Sequence, residues 1–303
     1  MNKKTFSGII PALCTCFDNN GEVNYAETAR LAKWLAEKGA GGFYLCGTTG
    51  SGLLLSKDER KRIVESVALA VNSSLPLMVH VGSMATKDAV ELAKHAAGVK
   101  GVCGISSLPP QYYPVSFDDE IANLSIIADA TELPFYPYLF GSMVDKYGVD
   151  KLISGFAHIP NMAGIKAFVA DLSIHQTIVN NGPSHWQLFH GFDQCLFQAL
   201  TIPGITAAIG STYNVVPEIV IEIFNAVKEG NYAKGNALHH QYSNYWLSVQ
   251  GYSFLAFGNY FLTKRGFKMG NHRLPLRPPH DEEIAVVESR MHKAGFRIES
   301  GGI

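Results

Sequence analysis

The sequence predicts a (β/α)8 barrel with a C-terminal helical extension. Three observations support it. Short apolar, β-branched or aromatic runs alternate with longer segments of helical period. There are eight such runs, the number a closed parallel barrel needs. The first of them is followed by no Gly-rich dinucleotide fingerprint.

In order, the strand-like runs are residues 8–17, 42–45, 77–81, 101–106, 134–139, 162–168, 187–191 and 205–209. Helix signals lie between them. Ser56 followed by Glu59 reads as a capping box, after which Ile63, Val64, Val67 and Val71 mark one face. Thr86 with Asp88 opens the next helix, with Val90, Ala93 and Ala97 inside it. Ser116 and Asp119 open another, continuing through Ile121, Leu124 and Ile127. After Ile209 the strands stop, and residues 217–230, 233–260 and 282–294 read as helices. The expected division is a barrel over residues 1–225 and a helical extension over 226–303 packed on it. An open doubly wound sheet is the main rival. Residues 8–17 lead instead into Asp18-Asn19-Asn20-Gly21, which is a turn.

Composition narrows the function. At 303 residues, 47% hydrophobic and 17% charged, the chain has ample material for a large core. A formal net charge of −1 gives no electrostatic footprint for nucleic acid or an acidic membrane surface. No apolar run approaches the roughly 18–20 residues that span a bilayer. Met1-Asn2-Lys3-Lys4 leads into a segment with no continuous apolar stretch, so no signal peptide is expected. Cysteines 14, 16, 46, 103 and 195 are scattered and odd in number, which fits free thiols in a reducing cytosol. A cytoplasmic location is the expectation.

In a barrel enzyme the chemistry gathers where strands run into βα loops. The second strand enters Gly47-Thr48-Thr49-Gly50, whose hydroxyls and N–H groups could hold a carboxylate, or could simply cap a tight turn. The fifth holds Tyr136 and Tyr138, on one side by alternation; either could be a proton relay or a core tyrosine with a satisfied hydroxyl. The sixth contains Lys166 amid Met162-Ala163-Gly164-Ile165 and Ala167-Phe168. A lysine there is costly unless paired or neutral. Desolvation would free its amine to attack a carbonyl; alternatively the side chain snorkels to water. The seventh ends at Phe189-His190-Gly191-Phe192-Asp193-Gln194 and the eighth at Ile209-Gly210-Ser211-Thr212-Tyr213-Asn214, adding polar groups to the same rim. Metal-ligand spacing is missing: there is no H-E-x-x-H, and His239 and His240 are adjacent on a helix and face different ways. No phosphate-binding loop occurs, and the run 57–62 is a solvated helix face.

With these residues in hand, the chain resembles the N-acetylneuraminate lyase and dihydrodipicolinate synthase superfamily of pyruvate-dependent class I aldolases. The resemblance runs from Phe6-Ser7-Gly8-Ile9-Ile10-Pro11 to about Pro275. It rests on the G-T-T-G loop, Tyr112-Tyr113-Pro114, Tyr138, Gly164-Ile165-Lys166 and Gly210-Ser211-Thr212-Tyr213-Asn214, in family order and approximate spacing. It implies that Lys166 forms an imine with pyruvate or a 2-oxo acid, with no separate cofactor. It implies that Tyr138 relays protons and that Thr48 and Thr49 bind the carboxylate and support the tyrosine. Tyr112 would enter a neighbouring subunit's site, giving a homotetramer. Gly50, Phe168, Gly191, Asp193, Gln194, Ile209 and Ser211 would complete the substrate pocket. The protonated imine is an electron sink that makes cleavage of the adjacent carbon–carbon bond feasible.

The lyase branch fits best. The synthase branch commonly carries an arginine five residues beyond the tyrosine, where this chain has Met143, which cannot pair with a carboxylate. There are departures from the lyases too. Ser51 stands where G-T-T-G-E has glutamate, and Gln194 where sialic acid lyases have an acid. Phe168 replaces a small hydroxyl residue, and Leu139-Phe140-Gly141 replaces N-I-P or H-I-P. The pyruvate half reads as intact and the aldehyde half as altered. The expected reaction is cleavage or formation of a 2-oxo acid from pyruvate and an aldehyde. Alternatives are a 2-oxo-3-deoxy sugar acid aldolase, a dihydrodipicolinate synthase-type condensation and, in another class, a catalytically silent 2-oxo acid binder.

Overall fold

The computed structural model describes residues 5–110 and 112–298; the leader expectation on residues 1–4 lies outside them. Eight parallel strands form one sheet: β1 (Gly8–Pro11), β2 (Phe43–Leu45), β3 (Leu77–His80), β4 (Val102–Ser107), β5 (Phe135–Phe140), β6 (Gly164–Phe168), β7 (Gln187–His190) and β8 (Ala207–Gly210). Their spatial order is β1-β8-β7-β6-β5-β4-β3-β2. The remaining gap is bridged by Ala12 pairing parallel with Tyr44, and by the Leu13 N–H donating to the Tyr44 carbonyl at 2.9 Å. That contact turns the sheet into a (β/α)8 barrel and removes its open edges.

The outer layer is α1 (Tyr25–Lys38), α2 (Lys57–Ala70), α3 (Thr86–Gly98), α4 (Phe117–Asp129), α5 (Gly141–Tyr147), α6 (Val149–Phe156), α7 (Leu172–Asn181), α8 (Leu196–Leu200) and α9 (Pro217–Lys228). The C-terminal extension adds α10 (Tyr232–Ser248), α11 (Phe254–Lys264) and α12 (Asp281–Lys293). The capping boxes at Ser56–Glu59 and Ser116–Asp119 both form, each satisfying two backbone donors that the helix leaves open. Thr86 is the first helical residue of α3 rather than its cap; its hydroxyl accepts from Asn123.

Two expectations are corrected. The first strand ends at Pro11, not at residue 17: after Ala12 and Leu13, which still bond to Gly210 and Tyr44, the chain's N–H groups turn to partners outside the sheet. Cys14 N–H donates to Asn214, Cys16 N–H to Thr28 and Phe17 N–H to the Met269 carbonyl. The helix expected over 233–260 is two helices. Val249 caps the first, Gly251 takes φ +90°, and the Ser253 hydroxyl accepts from Ala256 N–H to start the second. This break puts the start of α11 at the barrel mouth.

Side chains fill the barrel as a closed core. Phe6, Ile10, Ala12, Tyr44, Met78, Tyr136, Phe189, Ala207 and Ile209 form one interior cluster, with Tyr136 edge-on to both Phe6 and Phe189. The larger cluster lies between the strands and the helices. No helix among the described residues is long and apolar enough to cross a membrane.

Candidate active site

The barrel interior sets the depth of the site. In the β5–β6 register Tyr138 lies opposite Lys166, and Lys166 in turn lies opposite Phe189 on β7. Alternation therefore stands Tyr138 and Lys166 side by side above the Tyr136–Phe189 layer. Above them opens a cavity of about 280 Å3 at the C-terminal ends of the strands. It is lined by Ala12, Thr48, Thr49, Tyr138, Phe140, Lys166, Phe168, Gly191, Asp193, Gln194, Ile209, Ser211, Phe254 and Leu255. A wider hollow of about 630 Å3 lies between α2 and α3, on the outer flank of the helical ring rather than at the strand ends.

Lys166 is buried, and its ammonium nitrogen sits 3.8 Å from the ring centroid of Tyr44 and 3.9 Å from that of Tyr138. Two ring faces favour a cation, but losing water outweighs them. Burial lowers the amine from its ordinary value to about 7, while the charge of Asp193 opposes the fall. Half of the amines are thus neutral, and nucleophilic, near neutral pH. The Tyr44 hydroxyl shares a 3.1 Å hydrogen bond with Ser106 on β4, which fixes the ring beneath the lysine. Gly47 keeps space for that ring: a methyl there would lie 2.5 Å from Tyr44 Cε1. Burial pushes the Tyr138 phenol up, and Asp193 pushes it further, so it holds its proton across neutral pH.

The rim is organised by β8. Thr49 Oγ1 lies 2.6 Å from Ser211 Oγ, tying the G-T-T-G turn to the β8 loop. Asp193 is buried, and its Oδ2 accepts from Thr212 N–H at 2.8 Å and Thr212 Oγ1 at 2.7 Å. The same threonine hydroxyl is hydrogen-bonded to Tyr242 of α10. Burial raises the Asp193 carboxyl, and the Thr212 donors and Lys166 work against that rise. Ser51 occupies a left-handed turn at φ 56° and is buried.

Of the residues singled out in the sequence, Lys166, Tyr138, Thr48, Thr49, Phe168, Gly191, Asp193, Gln194, Ile209 and Ser211 line this cavity. Gly50 lies behind it, where an added methyl would meet the Leu13 carbonyl oxygen at 2.7 Å. Tyr112 stands apart, 76% exposed and edge-on to Tyr113. Phe140, noted in the sequence only as a departure from the lyases, also lines the cavity, while Tyr44, Ala12, Phe254 and Leu255 were missed as site residues. Tyr44 was findable by alternation within a run already assigned as a strand. Phe254 and Leu255 were hidden inside the helix that was read as continuous. Among the described residues no group of three or more His, Cys, Asp or Glu side chains could hold a metal ion.

Known proteins bear on this geometry. The family model described as "Dihydrodipicolinate synthetase family" matches residues 5–294. N-acetylneuraminate lyase of Rattus norvegicus is 30% identical over 306 residues, covering 97% of this chain and 94% of that protein. N-acetylneuraminate lyase 2 of Escherichia coli is 32% identical over 235 residues, covering 77% of this chain and 76% of that protein. Among solved structures, N-acetylneuraminate lyase (sialic acid aldolase) from Aliivibrio salmonicida superposes with a TM-score of 0.87 at 30% identity, covering 98% and 99% of the two chains.

Proposed function

The chain belongs to the dihydrodipicolinate synthetase family, close to its N-acetylneuraminate lyase branch, and from that premise we propose how this Schiff-base-forming, class I aldolase-type lyase distributes its chemistry. The observation behind the reading is the buried amine of Lys166, held between two tyrosine rings and brought to about 7 at the floor of a cavity at the strand ends.

The neutral Lys166 amine attacks the C2 carbonyl of a 2-oxo acid, and the carbinolamine loses water to give a protonated imine. In the cleavage direction the C4 hydroxyl gives up its proton and the C3–C4 bond breaks. Its electron pair flows into the iminium, releasing an aldehyde and leaving an enamine. Protonation at C3 and hydrolysis with one water return pyruvate and the free amine. Tyr138 is the group placed to carry these protons: its protonated phenol, beside Lys166, gives its proton to the departing carbinolamine hydroxyl, and the phenolate left takes the C4 proton and returns it to C3. Thr48 and Thr49 hold the substrate carboxylate, with Thr49 braced by Ser211. Cleavage and condensation share every step, so the geometry fits both directions.

A dihydrodipicolinate synthase-type condensation fits less well. Met143 is buried in α5 and offers no charge for a second carboxylate. The exposed Tyr112 suits insertion into a neighbouring subunit's cavity, and a homotetramer in the cytoplasm is part of this proposal.

The test is trapping. The protein is incubated with pyruvate, reduced with borohydride and mapped by mass spectrometry, with Lys166→Ala in parallel. A pyruvyl adduct on Lys166, absent from the variant together with at least about 10^4-fold of the activity, is the expected result. An adduct that persists in Lys166→Ala, or none in either protein, would overturn the assignment.

A further inference from the structure

The layer above the reacting amine is aromatic. Phe140 follows Tyr138 by two residues on β5, and Phe168 follows Lys166 by two on β6, so each ring stands one step nearer the mouth on the same face. The two residues are direct partners in the parallel register. Phe140 stacks on Tyr138 at 4.3 Å and 29°, and Phe168 meets Phe140 edge-on at 6.1 Å. Phe192 backs Phe168 at 5.3 Å, and Phe254 and Leu255 of α11 also line the cavity. Phe168 keeps 40% of its surface exposed, so its ring is free to meet a ligand at the cavity rim.

Polar groups near this layer are already engaged. Asp193 is held by Thr212, and Ser211 by Thr49. Gln194 adds an uncharged amide to the cavity lining, and Thr48 and Thr49 face the carboxylate end in the Schiff-base reading. A sugar-derived aldehyde would lay several hydroxyls against phenyl rings and lose their hydrogen bonds to water without replacement. The cavity, about 280 Å3, also sits just below the common range for drug-sized ligands, about 300–1,000 Å3.

We propose that the aldehyde half of this site is built for a small aryl aldehyde rather than a polyhydroxylated one, with Phe168 and Phe140 as the specificity-determining residues. An aryl ring would complete the edge-to-face corner made by Phe140 and Phe168. The inference rests on the Schiff-base reading. C3 of the lysine-bound enamine bonds to the aldehyde carbon, and the aldehyde oxygen takes up the proton that C3 had released. Hydrolysis with one water then frees a 4-aryl-4-hydroxy-2-oxobutanoate, and cleavage is the reverse.

The experiment measures condensation of pyruvate with benzaldehyde, butanal, glyceraldehyde and N-acetylmannosamine, alongside solvent-deuterium exchange into the pyruvate methyl group. Exchange reports the imine and enamine with no aldehyde present. Expected are exchange, a kcat/KM for benzaldehyde at least about tenfold above the other three, and a tenfold fall in the benzaldehyde-to-glyceraldehyde ratio in Phe168→Ser. Phe168→Leu, which keeps the site apolar, retains benzaldehyde over glyceraldehyde. Exchange with N-acetylmannosamine or glyceraldehyde preferred overturns the aryl proposal and leaves the Schiff-base reading standing. Exchange with butanal equal to benzaldehyde overturns the aromatic part of it. A ratio unmoved in both Phe168 variants removes Phe168 from the specificity role. Absence of exchange removes the Schiff-base reading, and this proposal with it.

Discussion

The two halves of the cavity are built on opposite principles. On its floor, a polar amine sits inside an apolar barrel, and every neighbour modulates its charge: Tyr44 and Tyr138 by their ring faces, Asp193 by its carboxylate, burial by removing water. At its mouth, where solvent could serve polar groups cheaply, the chain presents Phe140, Phe168, Phe254 and Leu255. A hydrophobic mouth over a charged floor excludes water from the reacting bond and strengthens each electrostatic contact beneath it. The contrast lets the two proposals be tested apart, the floor as what sets the reaction type and the mouth as what sets the substrate.

The sharpest way to break the floor is at Tyr138, its proposed proton carrier. Tyr138→Phe removes one hydroxyl and keeps the ring that covers Lys166. Loss of a positioned acid–base group costs about 10^2–10^4-fold. The expected outcome is a kcat lower by at least about 10^2-fold with the Lys166 adduct still trapped by borohydride. A variant within a few-fold of wild-type kcat would take the proton relay away from Tyr138.

A second variant measures what burying the amine costs the fold. Lys166 ordinarily titrates at 10.5 and does so at about 7 in the folded chain. Above 10.5 the amine is neutral in both states, and burial carries no protonation penalty. As pH falls from 10.5 to 7 only the unfolded chain binds the proton, so stability falls with it. Below about 7 both states bind it and the penalty stays constant at its maximum. Lys166→Met, similar in volume and apolar, is therefore expected to raise Tm by roughly 2 °C or more at pH 6. The gain should shrink steadily as pH rises towards 10. A Tm difference that does not change with pH would mean that the native lysine is not held at a lowered pKa.

The same division explains how much could be read from sequence. The floor was readable because its residues break local rules: a lysine amid Ile165 and Ala167 is an anomaly in any apolar strand. All eight strands were readable for the opposite reason, since apolar runs obey the rules of a buried parallel sheet. The mouth was harder. Phe168 and Phe140 were legible only through the family resemblance, as departures in the aldehyde half; by local pattern alone both look like more core, and the closed barrel is what puts their rings above the amine. Tyr44 was lost the same way, as one more aromatic in a strand. Phe254 and Leu255 depended on a helix break at Gly251, where periodicity on both sides is helical and gives no warning. The early end of β1 depended on long-range partners, Asn214 and Met269, that no local pattern can announce.

The smallest predicted effect tests whether the wall between the two halves is charged. Asp193 is the carboxylate that bears on Lys166; His80, also near, is driven well below its ordinary value by burial, Arg60 and Lys166, and so stays neutral. Asp193→Asn keeps an oxygen to accept from Thr212 N–H and Oγ1 while removing the charge. Because that charge raises the Lys166 amine, its loss should lower it further, and the acidic limb of the kcat/KM profile should move to lower pH. The shift is expected to be modest, since burial is the larger influence on the lysine and is unchanged in the variant. Its direction carries the information. A limb displaced to lower pH means an ionised Asp193 tuning the floor from the side wall. An unmoved limb would mean that burial has already neutralised Asp193 in the native state, leaving Lys166 controlled by desolvation and its two tyrosine rings alone.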